Sequence, residues 1–410
     1  MGSVRPVAVA AALMLFAFST GTTAAATRTA SSCSQGDVQA AVASAGVGDI
    51  VKVPPGDCLW PGTVSTSGKK LTLIGSGKES TTIRAVSHGQ AVIAIDANGV
   101  RVTGFTFDGG ASVIVGAFND WRIDNNRFRG ASAFTGVFVR GTNPKAHPRG
   151  VIDHCEFING RVLIHGYPGV SAAELNGTTH WSEPLALGTA EAVYVEDSQF
   201  TFDQFYNVID CEYAGRMVFR HNVVTDSYLE AHSIQGYGRA CRKWEIYNNQ
   251  IRQVSREVYR PLFFRGGTGV IFDNVVSGTF GAPVIHFDNV RSFKNVGGAA
   301  GQCNGASSWD GNELANGYPC RDQIGRGTDA GPWSSGQLPP QSLNPAYIWN
   351  NAINGGPLGV SVISGADIHI KSGRDFFVNS GSKPGYAPYA YPHPLARVAP
   401  PANLTGETIP

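Results

Sequence analysis

IYNNQI, at Ile246–Ile251, is one of eight six-residue stretches that share a frame. The others are VTGFTF (Val102–Phe107), IDNNRF (Ile123–Phe128), IDHCEF (Ile152–Phe157), VEDSQF (Val195–Phe200), FRHNVV (Phe219–Val224), IFDNVV (Ile271–Val276) and IWNNAI (Ile348–Ile353). Each opens and closes on an apolar residue. The fourth place reads Phe105, Asn126, Cys155, Ser198, Asn222, Asn249, Asn274 and Asn351. Successive copies start 21, 29, 43, 24, 27, 25 and 77 residues apart. Self-similarity at a period of a few tens of residues marks a stacked repeat. A helical repeat would carry apolar residues at i, i+3, i+4 and i+7 over about a dozen positions. These stretches are instead short, apolar at both ends and rich in β-branched or aromatic residues, which is strand chemistry. The 51 glycines and the 15% of charged residues suit short strands and frequent turns. The chain therefore reads as a single-domain, all-β solenoid.

Asn at one corner of every coil has a physical reason. An amide can donate to one neighbour and accept from the other, so stacked Asn side chains form a ladder. Asn also tolerates the left-handed backbone of a sharp turn. Asn126, Asn222, Asn249, Asn274 and Asn351 are accordingly read as structural. A helix is expected over Ser32–Ala45, capping the open first coil, whose apolar side chains and strand edges need cover. Two long steps hold insertions, at about 160–189 and 292–346. Val360–Ile363 and Ile368–Ile370 read as final strands, and Pro384–Pro401 as an irregular tail.

Arg5, the apolar run Val7–Phe18 and Ala24-Ala25-Ala26 form a leader with a small-residue cleavage site, so residues 1–26 are read as a signal peptide. The run is too short for a confident membrane span. Residues 27–395 would be the repeat domain and 396–410 a tail. A secreted monomer is expected, with no membrane association after cleavage. All seven cysteines follow the leader, and in an exported chain they read as disulfides. Cys33 would join Cys58, Cys211 would join Cys241 from the next coil, and Cys303 would join Cys320. Cys155 is left over in the ladder column; Cys155–Cys211 is the rival pairing. The net charge of +1 and the lack of a basic strip exclude nucleic acid as a natural partner.

GDIVKVPPGDC (Gly48–Cys58), KKLTLIGSG (Lys69–Gly77), TTI (Thr81–Ile83) and VRVTGFTF (Val100–Phe107) together resemble the opening of right-handed parallel β-helix proteins of the pectate-lyase-like superfamily. The Asn-bearing phrases look like the stacked turns of those proteins. The resemblance covers residues 33–290 and Ile348–Ile353. It implies a polysaccharide as the partner. It does not choose among lyases, glycoside hydrolases, esterases and non-catalytic adhesins, because a fold hosts many functions.

A parallel β-helix offers a long face to an extended polymer, with side chains from neighbouring coils about 4.8 Å apart. Four segments that precede the repeated phrases end on polar residues: VFVR (Val137–Arg140), NVID (Asn207–Asp210), HSIQ (His232–Gln235) and LFFR (Leu262–Arg265). Their last residues, Arg140, Asp210, Gln235 and Arg265, are expected in one column. Residues 203–265 also hold Glu212, Tyr228, Glu230, Arg239, Lys243, Glu257, Tyr259 and Arg260.

Two chemistries compete. A lyase acting on a uronate must remove the weakly acidic proton α to the carboxylate and neutralise the charge that develops. His232, Tyr228 or Lys243 could be the base, and Arg140, Arg260 and Arg265 could grip the carboxylate. Asp210, Arg265 and Arg260 complete the catalytic set. Gln235, Glu230, Lys243 and Trp181 join Arg140 in binding substrate. A hydrolase would instead need two carboxylates from Asp203, Asp210, Glu212 and Glu230. The Arg-rich column containing His232 favours the lyase. Calcium, which many β-helix lyases use, is the candidate cofactor; Asp210 with Glu212, or Glu196 with Asp197, would supply its carboxylates. A non-catalytic glycan binder would use Trp181, Trp309 and Trp333 as stacking platforms.

Overall fold

Eleven of the strand-to-strand steps on one face run in parallel without interruption. The computed structural model describes residues 2, 25–142, 147–167, 183–232, 239–256, 258, 260–281, 283–289, 320, 322–327 and 342–397. Most of the expected leader lies outside them, as do Trp181, Gln235, Glu257, Tyr259, Cys303, Trp309 and Trp333. The described chain is nearly all β, with one α-helix, Gln35–Ser44. Its strands form two large sheets of 12 and 19 members.

The first face is the 12-stranded sheet. It holds the openings of the repeated phrases, such as Val193–Glu196, Arg216–Arg220, Lys243–Tyr247 and Thr268–Phe272. Equivalent residues align coil on coil: Val195 with Phe219, Phe219 with Ile246, Ile246 with Ile271, and Ile271 with Ile348. The larger sheet resolves by register into two further faces. The second stacks the ends of the phrases, Phe128 on Phe157, Phe157 on Phe200, Phe200 on Val224 and Val224 on Ile251. The third stacks Val113–Val115, Val137–Arg140, Val162–His165, Ile209–Glu212, Leu229–Ala231, Leu262–Phe264 and Ile285–Phe287. The strand pairings among the described residues are parallel, apart from the short hairpin of Ala352–Ile353 with Gly356–Pro357 and a single bridge between Arg326 and Leu343.

Inward side chains from all three faces form one apolar cluster. Its spine is aromatic: Phe107, Phe128, Phe157 and Phe200 stack with ring centroids 4.9, 4.8 and 4.5 Å apart. Removing one such buried ring costs about 3–5 kcal/mol.

The Asn column forms as the repeat predicts. Asn222, Asn249 and Asn274 each donate through Nδ2 to the Oδ1 of the next Asn, at 3.2, 2.9 and 2.8 Å, ending on Asn351. Asn126 lies in the same file and accepts from Phe105 N, while Ser198 bridges Cys155 and Asn222. One detail differs from expectation. The left-handed corner belongs to the residue before each ladder position: Gly104, Asn125, His154, Asp197, His221, Asn248, Asp273 and Asn350 all have φ between 51° and 80°. The short polar side chains that tolerate this backbone therefore sit one place earlier, and the ladder Asn is selected by its hydrogen bonds.

The helix begins at Ser34, whose hydroxyl accepts from Asp37 N. It buries Val38, Ala41 and Val42 against the first strands. Cys33–Cys58 ties this segment to the second face, and Cys211–Cys241 links successive coils. Loops of this length give about 3 kcal/mol each in the chain-entropy account. Cys155 is free and buried, so the Cys155–Cys211 pairing is excluded. Cys320 is disulfide-bonded.

Two boundaries move. Gly160–His165, expected in the first insertion, is the end of the strand Glu156–His165. Ile368 and His369 lie in turns, and the last strand of the first face is Phe376–Val378. Residues 383–397 are irregular, yet they run back across the first face. Lys383 Nζ reaches Pro345 O, Arg220 Nη1 reaches Tyr389 O, His393 N reaches Glu196, and Arg122 Nη1 reaches Leu395 O.

Candidate functional site

The third face carries the polar cluster. In the coil after Cys211 its strand is Tyr228–Ala231, one segment earlier than HSIQ, so His232 follows the strand directly. Arg140 pairs with His165, and His165 with Glu212. Continuing the register of Cys211 with Ala231, and of Ala231 with Phe264, brings Glu212 to His232 and His232 to Arg265. The observed outward file is thus Arg140, His165, Glu212, His232 and Arg265. Asp210 belongs to the neighbouring outward file, between Leu163 and Glu230, so it does not share the column expected with Arg140 and Arg265; Gln235, the fourth expected member, lies outside the described residues.

Asp210, Glu230 and His232 are brought together. His232 Nδ1 lies 2.6 Å from Asp210 Oδ1, and its Nε2 lies 3.7 Å from Glu230 Oε1. Glu212 approaches the same Nδ1 at 3.3 Å. Arg265 donates to Glu230 Oε1 at 2.6 Å, and Tyr228 OH lies 3.5 Å from Glu230 Oε2. Asn207 Nδ2 bridges Asp210 (3.1 Å) and Glu230 (2.8 Å). Arg161 Nη1 contacts Asn207 Oδ1 and Asp210 Oδ2. Its guanidinium lies 4.7 Å from the Tyr206 ring centroid. Arg260 and Arg265 flank the Phe263 ring, at 3.9 and 5.1 Å.

Arg161 and Asn207 were not singled out by sequence reasoning. The signal was present, since VLIH (Val162–His165) has the frame of VFVR (Val137–Arg140) and would have placed His165 in the file with Arg161 at its head. Lys243 is not part of this site. It lies on the first face with its side chain fully buried, bonded to Ala186 O and 3.3 Å from Glu245.

Burial pushes the Asp210 carboxyl up, but the His232 hydrogen bond and the charges of His232 and Arg161 outweigh it and hold it below the ordinary range. Burial works against the His232 cation, yet Asp210 and Glu230 hold it above the ordinary histidine value. Burial, then Glu230 and Asp210, drive the Tyr228 hydroxyl well up, so it keeps its proton.

Asp210, Glu230 and His232 place one potential ligand atom each within 4.8 Å of one another. Calcium takes six to eight oxygen ligands. Here an imidazole is the nearest neighbour of Asp210, and the guanidinia of Arg161 and Arg265 occupy carboxylate oxygens an ion would need. The set does not fit calcium, and its carboxylates are neutralised from within the chain. The other expected pair fits no better: Glu196 is fully buried against Arg220 on the first face.

No protein-family model and no curated protein matches the sequence. Similar solved structures include an alginate lyase from Paenibacillus sp. str. FPU-7, 13% identical, covering 61% of this chain and 95% of that one, with a TM-score of 0.40. A PL6-family alginate lyase is 14% identical over 88% of this chain and 52% of its own, with a TM-score of 0.37. A pectin methylesterase is 12% identical over 48% and 77%, with a TM-score of 0.32. No described helix is long and apolar enough to cross a membrane.

Proposed function

We propose that this chain is a secreted enzyme with a right-handed parallel β-helix that cleaves a uronate-containing polysaccharide by β-elimination. The observation supporting this reading is the Asp210–His232 pair on an outward face, flanked by Tyr228 and Arg265. Asp210 accepts the hydrogen bond of His232 Nδ1–H, which fixes the tautomer and leaves Nε2 as the base once the imidazole is neutral. Nε2 removes the proton from the carbon α to the substrate carboxylate. The electron pair released forms a carbon–carbon double bond as the β-carbon loses the glycosidic oxygen. Tyr228, which keeps its hydroxyl proton, donates it to that oxygen, and solvent restores it. Arg161, Arg260 and Arg265 equal Asp210, Glu212 and Glu230 in formal charge while His232 is neutral, and the proton that His232 takes up leaves the site one positive charge richer as negative charge develops on the substrate carboxylate.

Hydrolysis is the second reading, because Asp210 and Glu230 have carboxylate oxygens within 4.8 Å of each other. Retaining glycosidases hold their carboxyl groups about 5–5.5 Å apart. A hydrolase also needs a carboxyl that holds its proton as general acid, and Asp210, held low by His232 and Arg161, is not that group. Both groups are also nearly buried and bridged by Asn207. The test is incubation with acidic and neutral polysaccharides, following ultraviolet absorbance of a conjugated double bond alongside reducing ends. Both signals together are expected. Reducing ends without new absorbance would replace elimination by hydrolysis. Binding with neither signal would leave a non-catalytic glycan binder.

A further inference from the structure

The file through His232 continues past Arg140 into a groove. Its lining includes Asp96, Gly116, Phe118, Arg140, Thr142 and Tyr167. Val139 pairs with Val115 and Val115 with Ile95, so Arg140, Gly116 and Asp96 follow one another as the next members of the file. Arg140 lies three coils from His232, or about 14 Å at strand spacing. That is a distance an extended glycan spans in a few sugar rings.

Three features make this groove more than a surface dip. Arg140 is exposed and makes no ion pair or hydrogen bond with a described residue, unlike Arg161 and Arg265. Asp96, two coils from Arg140 in the file, has its oxygens held by Ser65, Thr66 and Gly68 N. Gly116 leaves room beside the half-buried Phe118 ring; a Cβ there would come 2.9 Å from it. An unpaired guanidinium in a groove with an aromatic and aliphatic lining suits a ring with an apolar face and a carboxylate edge.

We propose that the Arg140 groove is a distal subsite for a second uronate of the same chain, so that the enzyme favours long, repeatedly charged substrates. This rests on the acidic-polysaccharide reading of the His232 site and extends it. The test compares wild type, Arg140→Ala and Arg140→Lys on uronate oligosaccharides of increasing length. In Arg140→Ala the kcat/KM advantage of long over short chains should fall about tenfold or more, the loss of one charge-assisted contact. Arg140→Lys should restore part of it. A length advantage unchanged in Arg140→Ala overturns the subsite while leaving elimination at His232 standing. If no uronate chain is cleaved even by wild type, the elimination reading fails separately. Calorimetric affinity for the longest oligosaccharide then decides: weakening by Arg140→Ala sustains the subsite, and equal affinity or no binding overturns it.

Discussion

The first and third faces use the same kinds of residue for opposite ends. On the first face Arg220 and Glu196 are both fully buried, and Arg220 is answered by Tyr247 OH and by the carbonyls of Tyr389 and Ala390. Glu245 is answered by Gly188 N, Lys243 and Tyr386 OH. Residues 383–397 supply many of these partners, so the charges on this face serve to seat the returning chain. On the third face Arg161 pairs with Asp210, His232 with Asp210 and Glu212, and Arg265 with Glu230; Asp210 and Glu230 are buried, but Arg161, His232, Glu212 and Arg265 keep 11–24% of their side-chain surface in contact with solvent. Covering, rather than residue type, separates the two. A buried charge with complete partners holds structure, whereas a partnered charge still open to solvent can meet a substrate. Lys243 shows why a shifted pKa alone is a weak guide to function: it is pushed down to about 8 on the closed face, by burial.

The contrast is broken most directly at His232. His232→Ala should lower the rate of cleavage about 10²–10⁴-fold, the usual range for a lost general base, with the melting temperature little changed above the raised histidine value, where the imidazole is neutral. An active variant, or one that unfolds, would assign His232 to the structural class and erase the distinction. The pH profile sharpens the point. His232 is raised, so the stability it gives is complete below the ordinary histidine value and is lost as pH climbs past the raised one. Catalysis runs the other way, because only neutral imidazole accepts a proton. kcat/KM should therefore rise with pH through that raised value, in the range where the stability from this pair is falling. A rate that is flat there, or that drops, would count against His232 as the base.

Arg220→Ala tests the closed face. Removing one partner of a buried pair costs about 3–5 kcal/mol, read as a lower midpoint in denaturant. The folded fraction, assayed where it is still native, should keep its kcat. Loss of kcat without loss of stability would mean that the first face takes part in the chemistry.

The ladder was legible in sequence because its phrases repeat residue for residue, and Asn249 between Asn222 and Asn274 needs no tertiary knowledge to be placed. The third face was not legible to the same degree, because the chain between a phrase and its third-face strand varies in length. The register slips between Arg129 and Phe134, between Thr135 and Val137, and between Asn207 and Ile209. Two segments were framed wrongly: HSIQ for Tyr228–Ala231 moved the expected column off His232, and NVID, ended two residues before the strand's own end at Glu212, put Asp210 in the wrong file. The returning chain was harder still. Nothing local in residues 383–397 tells that Tyr386 will meet Glu245 or that His393 will meet Glu196, since both contacts are long-range.

The smallest expected effect concerns Lys243. Its folded value, about 8, lies below its ordinary 10.5 because burial disfavours the cation more than Glu245 supports it. Below about 8 both folded and unfolded chains hold the proton, and the folded state carries the full cost of the buried charge. From about 8 towards 10.5 the folded chain has released the proton and the unfolded chain has not, so stability rises with pH, by up to ~1.4 kcal/mol per pH unit. Tyr194, Tyr247 and Tyr386 are raised by burial and act in the opposite sense above the ordinary tyrosine value, which confines the clean window to about 8–10. Lys383, also about 8 through burial, titrates in the same window, so Lys243→Met should flatten the denaturation-midpoint curve in part rather than wholly. The same variant should leave the pH–rate profile of cleavage in place, since Lys243 and His232 lie on different faces. Identical stability slopes in wild type and variant would show that Lys243 keeps its proton in the folded chain as it does in the unfolded one, and that burial on the closed face does not disfavour its cation.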